Sequence, residues 1–172
     1  MRSAYIKPDS MAAVLAMLTP ENRLVCEVML KTGLRVGDVV RLRCEDVKER
    51  MTVKESKTAK GKRVYWGADL ARRLKAGRAN GYCFPNARDE RKHRTRQAVW
   101  KDIKRAAKLL RYRENVTPHT CRKVYAVEYY GAHGLDATRR ALNHDSAEVT
   151  MLYALADVIV ADKHRQRRKL KK

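Results

Sequence analysis

No apolar run in this chain approaches the ~20 residues that cross a bilayer. Its opening is interrupted by Lys7, Pro8 and Asp9 where a secretory leader needs an apolar core. The expectation is a chain without a signal peptide that acts in the cytoplasm. Cysteine is sparse. Cys26, Cys44, Cys83 and Cys121 lie far apart and show no metal-binding spacing, so they are expected to be reduced, buried thiols. No carboxylate cluster resembles a two-metal site, so neither a metal nor another cofactor is expected. There is no internal repeat and no linker long enough to divide 172 residues, which suits one domain. Acidic residues are the last shortage: 19 Asp and Glu face 40 Lys and Arg, a formal net charge of +21. Such an excess repels itself unless anions are near. It calls for a polyanionic partner: DNA, RNA or an acidic membrane surface. The basic residues are spread along the chain, which argues for charged faces on a fold.

What is present is mostly helical pattern. Met11, Val14, Leu15 and Leu18 repeat at helical spacing behind Asp9 or Ser10 as a cap. Pro20 opens a second helix, whose stripe is Leu24, Val25, Val28 and Met29 and whose end is Gly33. A short helix is expected around Val39, Val40 and Leu42. Residues 51–54 and 63–66 read as two strands joined by a Lys-rich turn, and helix returns at Leu70–Leu74. Gly77 to Asn86 is a loop, and 88–96 a dense charge run. Val99, Ile103, Ala106, Ala107 and Leu110 mark a long helix. Pro118 starts another that runs to about Tyr130, and two more are expected near 136–142 and 146–156. The fold class is mainly α with a small antiparallel β-sheet.

Several side chains carry chemistry. Gly33 frees the backbone to turn so that Arg35 can be aimed inward. A guanidinium presents a planar, permanently charged fork that grips two phosphate oxygens. Lys57 lies where the first strand enters the turn, with Lys60 the next choice and Lys54 and Lys62 close by. An ammonium there can contact a phosphate. In Thr117-Pro118-His119-Thr120-Cys121-Arg122 the histidine and arginine are three apart on a helix start, hence on one face. The helix N-terminus adds free N–H groups suited to phosphate. Leu142-Asn143-His144 places an asparagine, which tolerates left-handed backbone, before a histidine. Tyr153 follows nine residues later, on a helix begun by Asp145-Ser146. A phenol titrates near 10, so it needs cations or a base close by to attack at neutral pH. Tyr125, Tyr129 and Tyr130 read as packing residues.

Thr32-Gly33-Leu34-Arg35, Thr-Pro-His-x-x-Arg and Leu-x-His followed by Tyr153 together resemble the catalytic domain of the tyrosine recombinases, the phage-integrase family. The resemblance covers nearly the whole chain. It implies a site-specific recombinase or integrase working through a 3′-phosphotyrosyl intermediate. Tyr153 would be the nucleophile, with Arg35, Arg122 and His144 on the phosphate. Lys57 would be the general acid, and His119 a general base or phosphate ligand. Asp38 takes the place of the family glutamate that holds the first arginine. Lys60, Lys62, Arg63, Arg94 and Arg96 are expected on DNA. The partners implied are double-stranded DNA and further copies of the chain, as a dimer to tetramer on DNA. The apolar stretch Val158, Ile159 and Val160 before the basic tail 162–172 is the expected assembly segment. The first helix starts near residue 9, so residues 1–172 read as one catalytic domain, with core 9–156 and no N-terminal core-binding domain. A prokaryotic cell or the host of a mobile element is the setting, with the protein at the nucleoid. Two rivals are a type IB topoisomerase that relaxes DNA and a non-catalytic nucleic-acid-binding protein on the same fold.

Overall fold

The computed structural model describes residues 3–76 and 80–143. His144, Tyr153, the helix expected at 146–156 and the tail lie outside them. Helix α1 (Pro8–Ala16) begins at Pro8, with Lys7 in extended geometry before it. The expected caps, Asp9 and Ser10, therefore lie inside the helix, because proline at the first position gives up only an N–H that would be orphaned anyway. The far end of α1 is closed from outside: Arg23 donates to the carbonyls of Leu15 at 2.9 Å and Ala16 at 2.8 Å.

Helix α2 (Pro20–Thr32) ends on Gly33 in left-handed geometry, φ 65°. The short α3 (Val36–Val39) follows, three residues earlier than the apolar pattern suggested. Strands β1 (Arg50–Lys54) and β2 (Gly61–Tyr65) form a two-stranded antiparallel hairpin with Met51 opposite Val64 and Val53 opposite Lys62. Strand β2 starts two residues earlier than expected, which draws Lys62 out of the turn and into the sheet. Helix α4 (Gly67–Lys75) leads to the loop region, where Arg43 bridges Tyr82 and Pro85 bridges His93. Helix α5 (Arg96–Leu109) is capped by Thr95, whose hydroxyl accepts from the Ala98 N–H at 3.1 Å.

Helix α6 (Pro118–Leu142) contains one break, Gly134 at φ 75° and ψ −175°. Unbroken, it would hold Arg122 and Leu142 about 30 Å apart at 1.5 Å per residue. Arg122 instead donates to the Leu142 carbonyl at 2.7 Å. The break therefore folds the end of α6 back beside its beginning.

The core gathers Met11 and Val14 from α1, Val25, Val28 and Met29 from α2, Val99 and Ile103 from α5, and Val124 from α6. The hairpin adds Val53 and Val64 from its inner face. Asp102 ties α5 to the start of α2: one carboxylate oxygen accepts from the Thr19 N–H and from Asn22 Nδ2 at 2.8 Å. The cysteines come together as Cys26 with Cys121 and Cys44 with Cys83, each pair in hydrogen-bonding contact as free thiols. The contact with Cys121 and burial raise the Cys26 thiol; burial and Cys44 raise that of Cys83. Thiols so placed behave as small apolar fillers. No helix among the described residues is long and apolar enough to cross a membrane.

Candidate active site

Strand parity builds the site. Met51 and Val53 face inward on β1, and the next inward position is Glu55, fully buried. On β2 the inward pair is Lys62 and Val64, 4% and 6% exposed. The hairpin thus carries one carboxylate and one ammonium into the protein, where α3 and α6 meet it.

Glu55 is the centre of the cluster. Its Oε1 accepts from Arg35 Nη1 at 2.8 Å and lies 3.5 Å from Arg122 Nη1. Its Oε2 accepts from Asn143 Nδ2 at 3.1 Å and from the Thr58 hydroxyl at 3.3 Å. Arg122, 1% exposed, also donates to the carbonyls of Gly33 and Leu142. Burial, with repulsion from Arg35, lowers Arg122 to about 10 against the pull of Glu55. It is still cationic at neutral pH. Buried charge is tolerated only with such pairing.

Gly33 sets this geometry by two constraints at once. Its φ is positive, and a Cβ there would meet the Tyr125 ring at 2.3 Å. The Tyr125 ring in turn stacks on Tyr129, centroids 5.3 Å apart. Burial pushes the Tyr125 phenol up to about 12, in keeping with its reading as a packing residue.

Arg35 is one-fifth exposed at its side chain and reaches a cleft of about 300 Å³ that Ser56, Lys57, Arg96 and His119 also line. Arg35, Lys57 and His119 are therefore brought together. His119 is exposed at the start of α6, whereas Arg122, one turn on, is buried against Glu55. A larger groove of about 930 Å³ continues past Val36, Arg96 and His119 to Gln97, Trp100 and Asn115.

Asp38 does not take the expected part. Its Oδ1 accepts from the Ser56 N–H at 2.9 Å and the Ser56 hydroxyl at 2.7 Å, and so anchors the hairpin turn. Arg35 is held by Glu55 instead. The shorter aspartate is engaged at the turn, and a glutamate from another element supplies the counter-charge. The sequence reading ends the first strand at Lys54 and leaves Glu55 outside it; parity with Met51 and Val53 is the signal that points Glu55 inward.

The five expected DNA contacts separate. Lys60, Arg63 and Arg96 are exposed. Arg94 is turned to the framework, donating to Asn22 Oδ1 at 3.2 Å and lying 3.8 Å from Glu21. Lys62 is buried, not on the surface. Burial and Arg122 lower it to about 7 from 10.5.

Asn143 adopts φ 50° and ψ 39°, the left-handed geometry for which asparagine is suited. Its side chain also reaches Glu55, a contact that a glycine in this position lacks.

Known proteins share both the sequence and the fold. The integrase of Escherichia phage P2 is 29% identical over 154 residues, 88% of this chain and 43% of that protein. Tyrosine recombinase XerD of Pseudomonas aeruginosa is 31% identical over 147 residues, 77% of this chain and 48% of that protein. The chain spans about half the length of these relatives, or slightly less. The crystal structure of XerA recombinase shares the fold at TM-score 0.72 and 21% identity, over 94% of this chain and 64% of that one. The phage integrase family itself matches at residues 5–158, nearly the whole length, and the chain belongs to the phage integrase family.

Proposed function

We propose that this chain is the catalytic part of a site-specific recombinase or integrase that breaks and rejoins double-stranded DNA. The observation that carries the reading is the convergence of Arg35 and Arg122 on Glu55, beside a cleft that Lys57 and His119 share with Arg35. Fixed cations of this kind stabilise the charge that develops on a phosphate under attack.

The Tyr153 phenol oxygen attacks the scissile phosphorus, and its proton passes to His119. The bond from phosphorus to the 5′ oxygen breaks, and Lys57 gives that oxygen a proton. The products are a 3′-phosphotyrosyl ester and a free 5′ hydroxyl. Attack by the 5′ hydroxyl of another strand reverses the steps and releases the tyrosine. The ester conserves the bond energy, so the exchange uses no nucleotide cofactor. Arg35, Arg122 and His144 hold the non-bridging oxygens. The working complex is a dimer to tetramer on duplex DNA in the cytoplasm.

The test uses a randomised pool of nicked duplexes in EDTA. The expected result is DNA covalently linked to the wild-type chain, with Tyr153→Phe giving none while still binding duplex. Adducts that persist in Tyr153→Phe, or that require Mg²⁺, overturn the mechanism. Joining of one duplex to another distinguishes recombination from relaxation of supercoils, and a non-catalytic binder forms no adduct at all.

A further inference from the structure

Lys62 occupies an inward slot of β2 that parity assigns to an apolar residue; Val64 fills the next one. Its Nζ is buried and has no hydrogen-bond acceptor among the described residues. It lies over the Tyr125 ring, 5.3 Å from the ammonium to the centroid.

The charged and titratable groups around it come from every element packed there. Arg122 and Tyr125 approach from α6, Arg35 from the turn before α3, Asp38 from α3, and Glu55 from the end of β1. Both carboxylates are committed elsewhere. Glu55 serves Arg35, Arg122, Asn143 and Thr58, and the Oδ1 of Asp38 serves Ser56. The other Asp38 oxygen is buried without a partner and does not meet the ammonium. Three cationic side chains thus face two carboxylates, and among the described residues Lys62 has no acceptor. A buried ammonium in this position lacks an anion.

We propose that Lys62 is a phosphate-binding residue of this site, its ammonium taking an oxygen of the same phosphate that seats on Arg35 and Arg122. The proposal rests on the reading of the chain as a DNA strand transferase. It assigns Lys62 to the reacting phosphate, unlike Lys60, Arg63 and Arg96, which are exposed. Because Lys62 sheds its proton near neutrality, seating the phosphate draws a proton onto it.

The test compares the wild-type chain with Lys62→Met and Lys62→Arg. Methionine matches the length and suits an apolar slot, so Lys62→Met is expected to melt no lower than wild type. It is expected to bind the duplex recovered from the adduct pool but to cleave it about a hundredfold more slowly, the usual loss for one fixed donor. Lys62→Arg restores much of the rate. Wild-type cleavage matched by Lys62→Met overturns the proposal and leaves the function intact. If the wild type yields no adduct, the function fails, and calorimetry with a mixed-sequence duplex still decides Lys62. In buffers of two ionisation enthalpies above pH 7, the wild type is expected to take up a proton that Lys62→Met does not. Equal uptake by both overturns the assignment.

Discussion

Arg35 and Arg122 share one carboxylate oxygen, Glu55 Oε1, which lies 2.8 Å from the first and 3.5 Å from the second. One arginine faces the cleft and the other is buried. The shared oxygen fixes the separation of the two guanidinium groups.

Glu55→Gln keeps the shape and removes the charge. Arg122 then loses the carboxylate that lies 3.5 Å from it. The expected loss is about 3 kcal/mol of stability, the lower end for breaking a buried ion pair. Denaturant unfolding measures it, and a variant as stable as wild type refutes the central place given to Glu55.

Gly33→Ala forces an L side chain to positive φ and into the Tyr125 ring. Left-handed geometry and overpacking together are expected to cost about 3 kcal/mol. Gly33→Ala combined with Tyr125→Ala relieves the clash but not the backbone strain. A double-mutant cycle that shows no coupling between the two sites contradicts the packing described.

Asn143 serves both by its backbone and by its amide. Asn143→Gly accepts the left-handed geometry and loses the bond to Glu55, while Asn143→Ala loses the bond and adds about 1 kcal/mol of strain. Thermal melting is therefore expected to rank wild type and Asn143→Gly above Asn143→Ala. Equal melting of the glycine and alanine variants counts against the conformation.

Lys62 gives stability a pH dependence of definite sign. Its folded value near 7 lies below the ordinary 10.5. Between these values the unfolded chain holds a proton that the folded chain lacks, so stability rises with pH across that window. Lys62→Met removes the dependence. Its advantage over wild type is expected to be full below pH 7 and to shrink towards pH 10.5. Parallel stability profiles over that range refute the burial of a titrating ammonium.

Arg96 and Arg94 are separated by their surroundings. Arg96→Ala is expected to reduce the slope of log affinity against log salt by about 0.9, one phosphate contact. Arg94→Ala leaves the slope unchanged and lowers the melting temperature, since that side chain ties to Asn22 and Glu21. An unchanged slope for Arg96→Ala removes it from the DNA face.

The helical class, the hairpin, the stop at Gly33, the left-handed turn at Asn143 and the family boxes are all legible in the residues alone. These depend on neighbours within a few residues: a missing N–H, a missing Cβ, an apolar stripe of one period. The sequence also contains the inward parity of Glu55 and Lys62, but strands read as 51–54 and 63–66 leave both residues outside the alternation. Tertiary structure alone decided who pairs with whom. Whether Asp38 or Glu55 holds Arg35, and whether Arg94 faces DNA or Asn22, depends on which polar groups packing brings within hydrogen-bonding reach after α3, α6 and the hairpin close together. Hydrogen bonds act over about 3 Å. Local pattern fixes the elements to within two or three residues, and that error is enough to leave Glu55 and Lys62 outside the strands whose alternation carries them inward.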